Sequence, residues 1–347
     1  MKMPSVSSTS VSTAMRTAIL RAQAELNKAQ KELASGKLAD TGLALGARTT
    51  QVVNFQRDLD RLGGIVDSNA LVTSRLSSTQ GALDNLSAAA QQFLTTLTAA
   101  TSGDATPEVM RDSARAALDG LTSIMNLALN GEHLFAGINT DVKPINAFEA
   151  GSAPKTAFDN AFLSYFGFAQ DAPAAAAITA AQMDDFLTNA VEPQFMGAGW
   201  QANWSNATDQ AIVSRVALNE TTATSVGANH DGVRLLAMAA ATIGDLFSGN
   251  IGAAGRDALV ARAFDMVGQA IGDIANLQSQ VGVIQSRVKA ASDRTQVQID
   301  LFDKQLIGMQ GVDPYEASTR VTELLSHIET SYALTARIQQ LSLLKYL

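Results

Sequence analysis

The sequence contains no cysteine, three histidines and seven prolines, and only 5% of it is aromatic. Without cysteine there is no disulfide, no thiol nucleophile and no cysteine ligand for zinc. So few prolines leave room for long uninterrupted helices. Hydrophobic residues reach 46%, but Ala and Leu, set among Ser, Thr and Gln, supply most of the apolar surface. That mixture suits long helices with thin apolar stripes better than one thick globular core. No run of about 18 apolar residues is present to span a bilayer. The opening MKMPSVSSTSVST lacks the apolar stretch of a cleaved signal peptide. The expectation is a cytosolic chain, or one exported without such a signal. Positive charge is also in short supply, with a net charge of −8 and a pI of 4.9. A surface of that sign repels phosphate backbones and anionic lipid, so neither nucleic acid nor membrane insertion is expected.

At 347 residues the chain has the length of two or three domains, and three blocks are readable along it. In the first, Met15, Ile19, Ala22, Leu26, Ala29 and Leu33 alternate spacings of four and three, which places them on one helical seam. Ser35-Gly36 then permits a stop. A longer helix follows. Phe55, Leu59, Leu62, Val66, Leu76, Leu83, Ala90 and Leu97 hold one line, and Ile65, Val72, Leu86 and Phe93 a second line of the same period. Asn69, Thr73, Thr79, Gln80 and Ser87 interrupt both. A helix over 55–97 is roughly 60 Å long at about 1.5 Å per residue. Thr106-Pro107-Glu108 reads as a helix start. That helix carries Met110, Ala114, Ala117, Leu121 and Ile124 inward and is expected to end near Asn130-Gly131.

The last block mirrors the first. Val267, Ile271, Ile274, Val281, Val288, Ile299, Phe302, Leu306 and Met309 share one register, with Gln278, Gln285, Ser292 and Thr295 as polar steps. Gly311-Val312-Asp313-Pro314 breaks it. A final helix presents Val321, Leu325, Ile328 and Tyr332, then Leu334, Ile338, Leu341 and Leu344, with a change of phase between Tyr332 and Leu334. Over half of the aromatics fall between Phe148 and Trp204, which reads as an inserted domain with a core of its own over 141–224. Asn229 to Phe247 is expected to be helical.

Long helices with narrow seams are marginal alone and stable when another helix covers the seam. The fold class expected is therefore mainly α, an elongated antiparallel rod formed by both chain ends, with a distal inserted domain of β or α+β type. The domains are 1–40 with 312–347 as terminal helices, 41–140 with 225–311 as the rod, and 141–224 as the insert.

No catalytic constellation, metal site or cofactor site is expected. His133, His230 and His327 are too far apart for a helical metal site. Asp184-Asp185 reads as a solvated pair and Gly197-Ala198-Gly199-Trp200 as a turn. The aromatic cluster reads as a core before it reads as a ligand pocket. Two other classes compete: an enzyme carried by 141–224, and a secreted, membrane-active helical protein, which the acidic balance disfavours.

Several stretches resemble the flagellin superfamily. LNKAQKELASG (26–36) is similar to that family's opening, in which a leucine-patterned helix runs into a Leu-x-Ser-Gly turn. Gly42-Leu43-Ala44-Leu45 is similar to the Gly-Leu-Ala-Ile step that follows. The intervening KLADTGLALG departs from the Arg-Ile-Asn and Asp-Ala-Ala-Gly stretch of filament flagellins. NGEHLFAGINT (130–140) and the tail SYALTARIQQLSLLKYL (331–347) resemble the hook–filament junction branch, the hook-associated protein 3 type. IANLQSQVGVIQSRVKAASDR (274–294) resembles the superfamily's long C-terminal helix. The likeness runs over about 10–140 and 225–347.

The resemblance implies a structural adaptor between the hook-associated proteins and the flagellin filament. It also implies export unfolded through the flagellar type III channel, an extracellular location, and terminal helices that order on assembly. The implied partners are hook-associated protein 1, flagellin, copies of itself in a ring or helical layer, and an export chaperone. The subunit-packing seam would then consist of Met15, Ile19, Leu26, Leu33, Val321, Leu325, Ile328, Leu334, Ile338, Leu341 and Leu344. A filament flagellin is the alternative.

Overall fold

The structure is a computed structural model in which residues 8–343 are described, with side chains over 10–337. It is mainly α. The described helices are α1 (Ser8–Ser35), α2 (Thr41–Leu45), α3 (Thr49–Thr101), α4 (Pro107–Met125), α5 (Ala153–Phe166), α6 (Ala180–Phe186), α7 (Glu192–Phe195), α8 (Asp231–Leu246), α9 (Ala253–Gln310) and α10 (Pro314–Leu343). Two short hairpins join them: β1 (Ala128–Leu129) with β2 (Glu132–His133), and β3 (Val213–Ala217) with β4 (Glu220–Ala223). Packing divides the chain into two units. One is made of the described parts of 1–64 and 295–347, the other of 65–294. The breaks expected near residues 36–40 and 311–314 fall between helices and lie inside the first unit.

In the first unit α1 packs antiparallel on α10. Ile19 and Ala29 are buried on α1, with Met15, Ala22 and Leu26 half-buried beside them. Facing them on α10 are Ala317, Val321, Leu324, Ile328, Ser331 and Thr335, again spaced by four and three. Thr335 Oγ1 lies 3.8 Å from Met15 Sδ, and Gln23 Nε2 donates to the Tyr332 hydroxyl at 2.9 Å. Further along, Phe55 and Phe302 meet with ring centroids 5.4 Å apart. Gly36 ends α1 at φ +66°, a conformation that costs a side chain with Cβ about 1–2 kcal/mol. Asp40 then caps α2 by accepting from the Leu43 N–H at 2.9 Å.

In the second unit the two lines read on α3 merge into one buried seam: Ile65, Asn69, Leu76, Thr79, Leu83, Leu86, Ala90, Phe93 and Leu97. The facing seam of α9 includes Val267, Ala270, Ile274, Leu277, Val281, Val288 and Ala291. Helix α4 starts as expected at a Thr106 cap with proline in the first turn and packs on α8. Almost every residue of α8 is buried. Its run of alanines, Ala237 and Ala239–Ala241, lets neighbours approach from all sides, which makes it the central helix of the unit.

Two expectations are corrected. The first concerns the end of α4. The helix stops at Met125, and Asn130-Gly131 is the turn of the β1–β2 hairpin, with φ of +54° and +88°. Two successive positive φ values match a type I′ hairpin turn, for which Asn-Gly is the preferred pair. The second concerns the 141–224 segment, whose core is not its own. Phe158, Phe162, Phe186, Phe195, Trp200 and Trp204 belong to one continuous buried cluster with Leu118, Leu236, Ile243 and Val260 of the surrounding helices. Its backbone is three helices, short helical coils and the β3–β4 hairpin, an α+β insert.

Candidate assembly surface of the terminal helices

The residues singled out as a packing seam divide into two sets. Ile19 and Ile328 are buried, and Met15, Leu26 and Val321 half-buried, all in the α1–α10 pairing. Leu33, Leu325 and Leu334 are exposed. Ile338 and Leu341 lie outside the described side chains and Leu344 outside the described residues. The buried line of α10 passes through Leu324 rather than Leu325, one position from the line read in sequence. Two leucines in succession satisfy either phase, and Ala317 and Ser331 are too inconspicuous to mark the true one. Leu20, 60% exposed, and Tyr332, 52% exposed, add to the apolar surface left uncovered. By the helical repeat, Leu325 and Tyr332 lie on one flank of the buried line, Leu334 on the other, and Leu20 on the back of α1.

The same pairing buries a carboxylate that sequence reading passed over. Glu32, with its side chain 3% exposed, stands three residues after Ala29 on the α1 seam. Its Oε1 accepts the Ala39 N–H at 3.1 Å, and its Oε2 accepts from Arg320 Nη1 at 3.3 Å. Around it the turn after α1 is stitched to the elbow before α10. Leu38 N–H donates to the Gln310 carbonyl at 2.9 Å, and Val312 N–H to the Gly36 carbonyl at 3.0 Å. The signal in sequence was a charged residue at a seam position.

Two further polar groups occupy the second unit. At the first, β3–β4 straps two helices. Asn69 Nδ2 donates to the Val216 carbonyl at 2.8 Å and to Ser292 Oγ at 3.0 Å. Glu220 accepts from Arg287 and Arg294, each at 2.8 Å. The Arg287 hydrogen bond, aided by the charge of both arginines, holds the Glu220 carboxyl below its usual range. At the second, Lys155 pairs with Asp159 and, at 3.2 Å, with Asp245. Burial raises the Asp245 carboxyl despite hydrogen bonds from Gln170 and Lys155. Burial also opposes the Lys155 charge, but the Asp159 and Asp245 carboxylates outweigh it and hold the ammonium above its ordinary value. Cavities of ≈ 350 and ≈ 450 Å³ flank this pair, and Arg115 lines both.

His327 is exposed on α10, and the other sequence candidates have structural surroundings. His133 Nδ1 lies 2.9 Å from the Asn126 carbonyl, and His230 caps α8. Asp185 accepts from Tyr165 and Asn189, and Gly197-Ala198-Gly199 turns the chain into the Trp200–Trp204 coil. Among the described residues no group of three or more His, Asp or Glu is placed to hold a metal ion, and no helix is long and apolar enough to cross a membrane.

Long helices from both ends of the chain, paired with each other and leaving apolar side chains uncovered, define a helical structural subunit. The chain belongs to the flagellin superfamily. Residues 6–140 match the bacterial flagellin N-terminal helical region and residues 264–347 the C-terminal helical region, which together exceed half of the chain. This membership gives it a structural role in the bacterial flagellum. No curated protein matches the chain in a sequence comparison. A solved structure described as a flagellar hook-associated protein from Vibrio parahaemolyticus is similar in fold, with a TM-score of 0.52 at 12% identity over 75% of this chain and 96% of that one.

Proposed function

We propose that the chain is the adaptor between the hook-associated proteins and the flagellin filament, and that its terminal segments, 1–40 with 312–347, order on assembly at the growing tip. The observation that carries the assembly reading is the unfinished pairing of α1 with α10, which leaves Leu20, Leu325, Tyr332 and Leu334 in water. Each is already about half covered, so burying the remainder on a neighbour contributes roughly 1 kcal/mol before ordering costs. The neighbours are copies of the chain in a ring or helical layer, a hook-associated protein on one side and flagellin on the other. Before assembly the chain travels unfolded through the flagellar export channel, escorted by a chaperone.

The junction role, as against that of a filament flagellin, draws on the NGEHLFAGINT and LSLLKYL stretches and on the departure at KLADTGLALG. Electron microscopy of cells lacking the protein tests it. The expected result is intact hooks without filaments, with flagellin shed into the medium. Hooks that still carry filaments overturn the junction role.

A further inference from the structure

Docking α1 on α10 buries the Glu32 carboxylate, which α1 alone would leave in water. A buried charge is tolerated only when paired and hydrogen-bonded. Glu32 meets that condition through two groups of different origin, the Ala39 N–H of its own turn and the Arg320 guanidinium of α10. The rest of the pairing is undemanding. Its seam is built of Ala, Ser, Thr and aliphatic residues on a repeat of seven, so a slip of one heptad again sets small and aliphatic residues against one another. Such a slip carries Arg320 away from Glu32 by about 10 Å, seven residues at roughly 1.5 Å each. It also breaks the Leu38–Gln310 and Val312–Gly36 stitches.

We propose that Glu32 is the register-determining residue of the terminal helices. In the observed alignment Arg320 and the Ala39 N–H both reach it, whereas the slip that sets Met15 against Ile328 puts Asp313 in the place of Arg320 and leaves the buried charge without its cation. A single buried polar group that fixes helix register at the expense of stability is the best-attested use of such groups. Arg320 is the positioning partner, with its second nitrogen held by Glu316 at 2.7 Å. The proposal rests on the pairing of α1 with α10 within one chain, which the proposed function has form on assembly, and not on which flagellar neighbours the chain meets, so the junction role can fail while the register reading stands.

Because the chain contains no cysteine, register can be read by disulfide trapping of the full-length protein in assembled flagella, where the proposed function has both terminal helices ordered. Met15→Cys with Thr335→Cys reports the observed alignment, since those side chains touch. Met15→Cys with Ile328→Cys reports a slip of one heptad. Glu32→Ala is added to each pair, and Glu32→Gln serves as a second variant that keeps the acceptor for Ala39 and loses the charge. The ratio of the in-register to the slipped closure rate is expected to fall about tenfold with Glu32→Ala, a change that corresponds to the loss of one charge-assisted hydrogen bond, and by less with Glu32→Gln. These probes lie several turns from Glu32, so a purely local role in the 36–39 turn leaves the ratio alone. An unchanged ratio overturns the proposal. So does loss of closure in both pairs, which would mean that Glu32 holds the helices together without choosing how they align.

Discussion

The side-chain amide of Asn69 donates to the main-chain carbonyl of Val216 at 2.8 Å, joining residues 147 positions apart. It thereby fastens the β3–β4 hairpin to α3, while its second contact, with Ser292, reaches α9. Buried at 1% exposure, Asn69 is a polar step in an otherwise apolar seam. Asn69→Ala leaves the Val216 carbonyl without its partner, which should destabilise the protein by about 1–3 kcal/mol. Urea unfolding gives the magnitude, and hydrogen exchange gives the place: amides of 213–223 should exchange faster than in the parent, with those of α4 unchanged.

The other half of that strap is Glu220, between Arg287 and Arg294. Its carboxyl sits below the ordinary glutamate value of 4.5, so the folded state binds its proton less readily than the unfolded chain does. The stabilisation is then fully present above pH 4.5 and is lost as pH falls through the lower, folded value. Hairpin amides should lose protection on acidification through that window. In Glu220→Gln the acid-dependent step should be absent, because the group no longer titrates. Identical acid profiles for the parent and Glu220→Gln would remove the strap's electrostatic role.

Lys155 and Asp245 make a pair of the opposite temper. Asp245 is 6% exposed and burial works against its charge. Lys155→Met should therefore cost about 3 kcal/mol, because it leaves a buried carboxylate short of its cation. Adding Asp245→Asn should recover most of that loss, since an amide in the same place carries no charge to desolvate. Calorimetric or urea measurements on the two single variants and the double variant test this. Because the lysine value is raised above 10.5, the contribution of Lys155 is present below that pH and lost as pH rises through the folded value.

Leu325 and Leu334 are exposed, so Leu325→Ser and Leu334→Ser should change the stability of the free chain by no more than about 0.5 kcal/mol. Ile328→Ala, in the buried line, should cost the α1–α10 pairing about 2 kcal/mol. Assembly should respond differently. The two serine variants are expected to abolish or severely reduce motility in swimming assays despite normal export. Full motility with both leucines replaced would separate this surface from assembly.

The helical plan was legible because its signals repeat. Over 55–97 and 267–309 many apolar residues vote for one register, and a few polar steps such as Asn69 and Thr79 cannot outvote them. Asn69, one of those polar steps, is paired with the Val216 carbonyl and with Ser292. What failed to show were single-residue decisions. The Asn130-Gly131 pair carries the same letters whether it ends a helix or turns a hairpin, and only the early stop of α4 at Asn126 selects the hairpin. Leu324 and Leu325 are adjacent, so the phase of α10 depends on what α1 presents to it. The aromatic richness of 141–224 suggested a separate core, yet α8, buried almost all round, shares one continuous core with those rings. Glu32 stood out only as a charge beside the seam, because its partners lie in a turn and 288 residues downstream.

The uncovered apolar groups of the terminal pair face in more than one direction: Leu325 and Tyr332 to one flank, Leu334 to the other, Leu20 behind. A lone companion molecule can lie against one of these aspects and must leave the rest wet. Satisfying all of them takes encirclement, so the geometry of these two helices argues for a crowd and against a couple. It also makes a concentrated solution of free chains a precarious one, since every unsatisfied side is an invitation to whichever molecule drifts past.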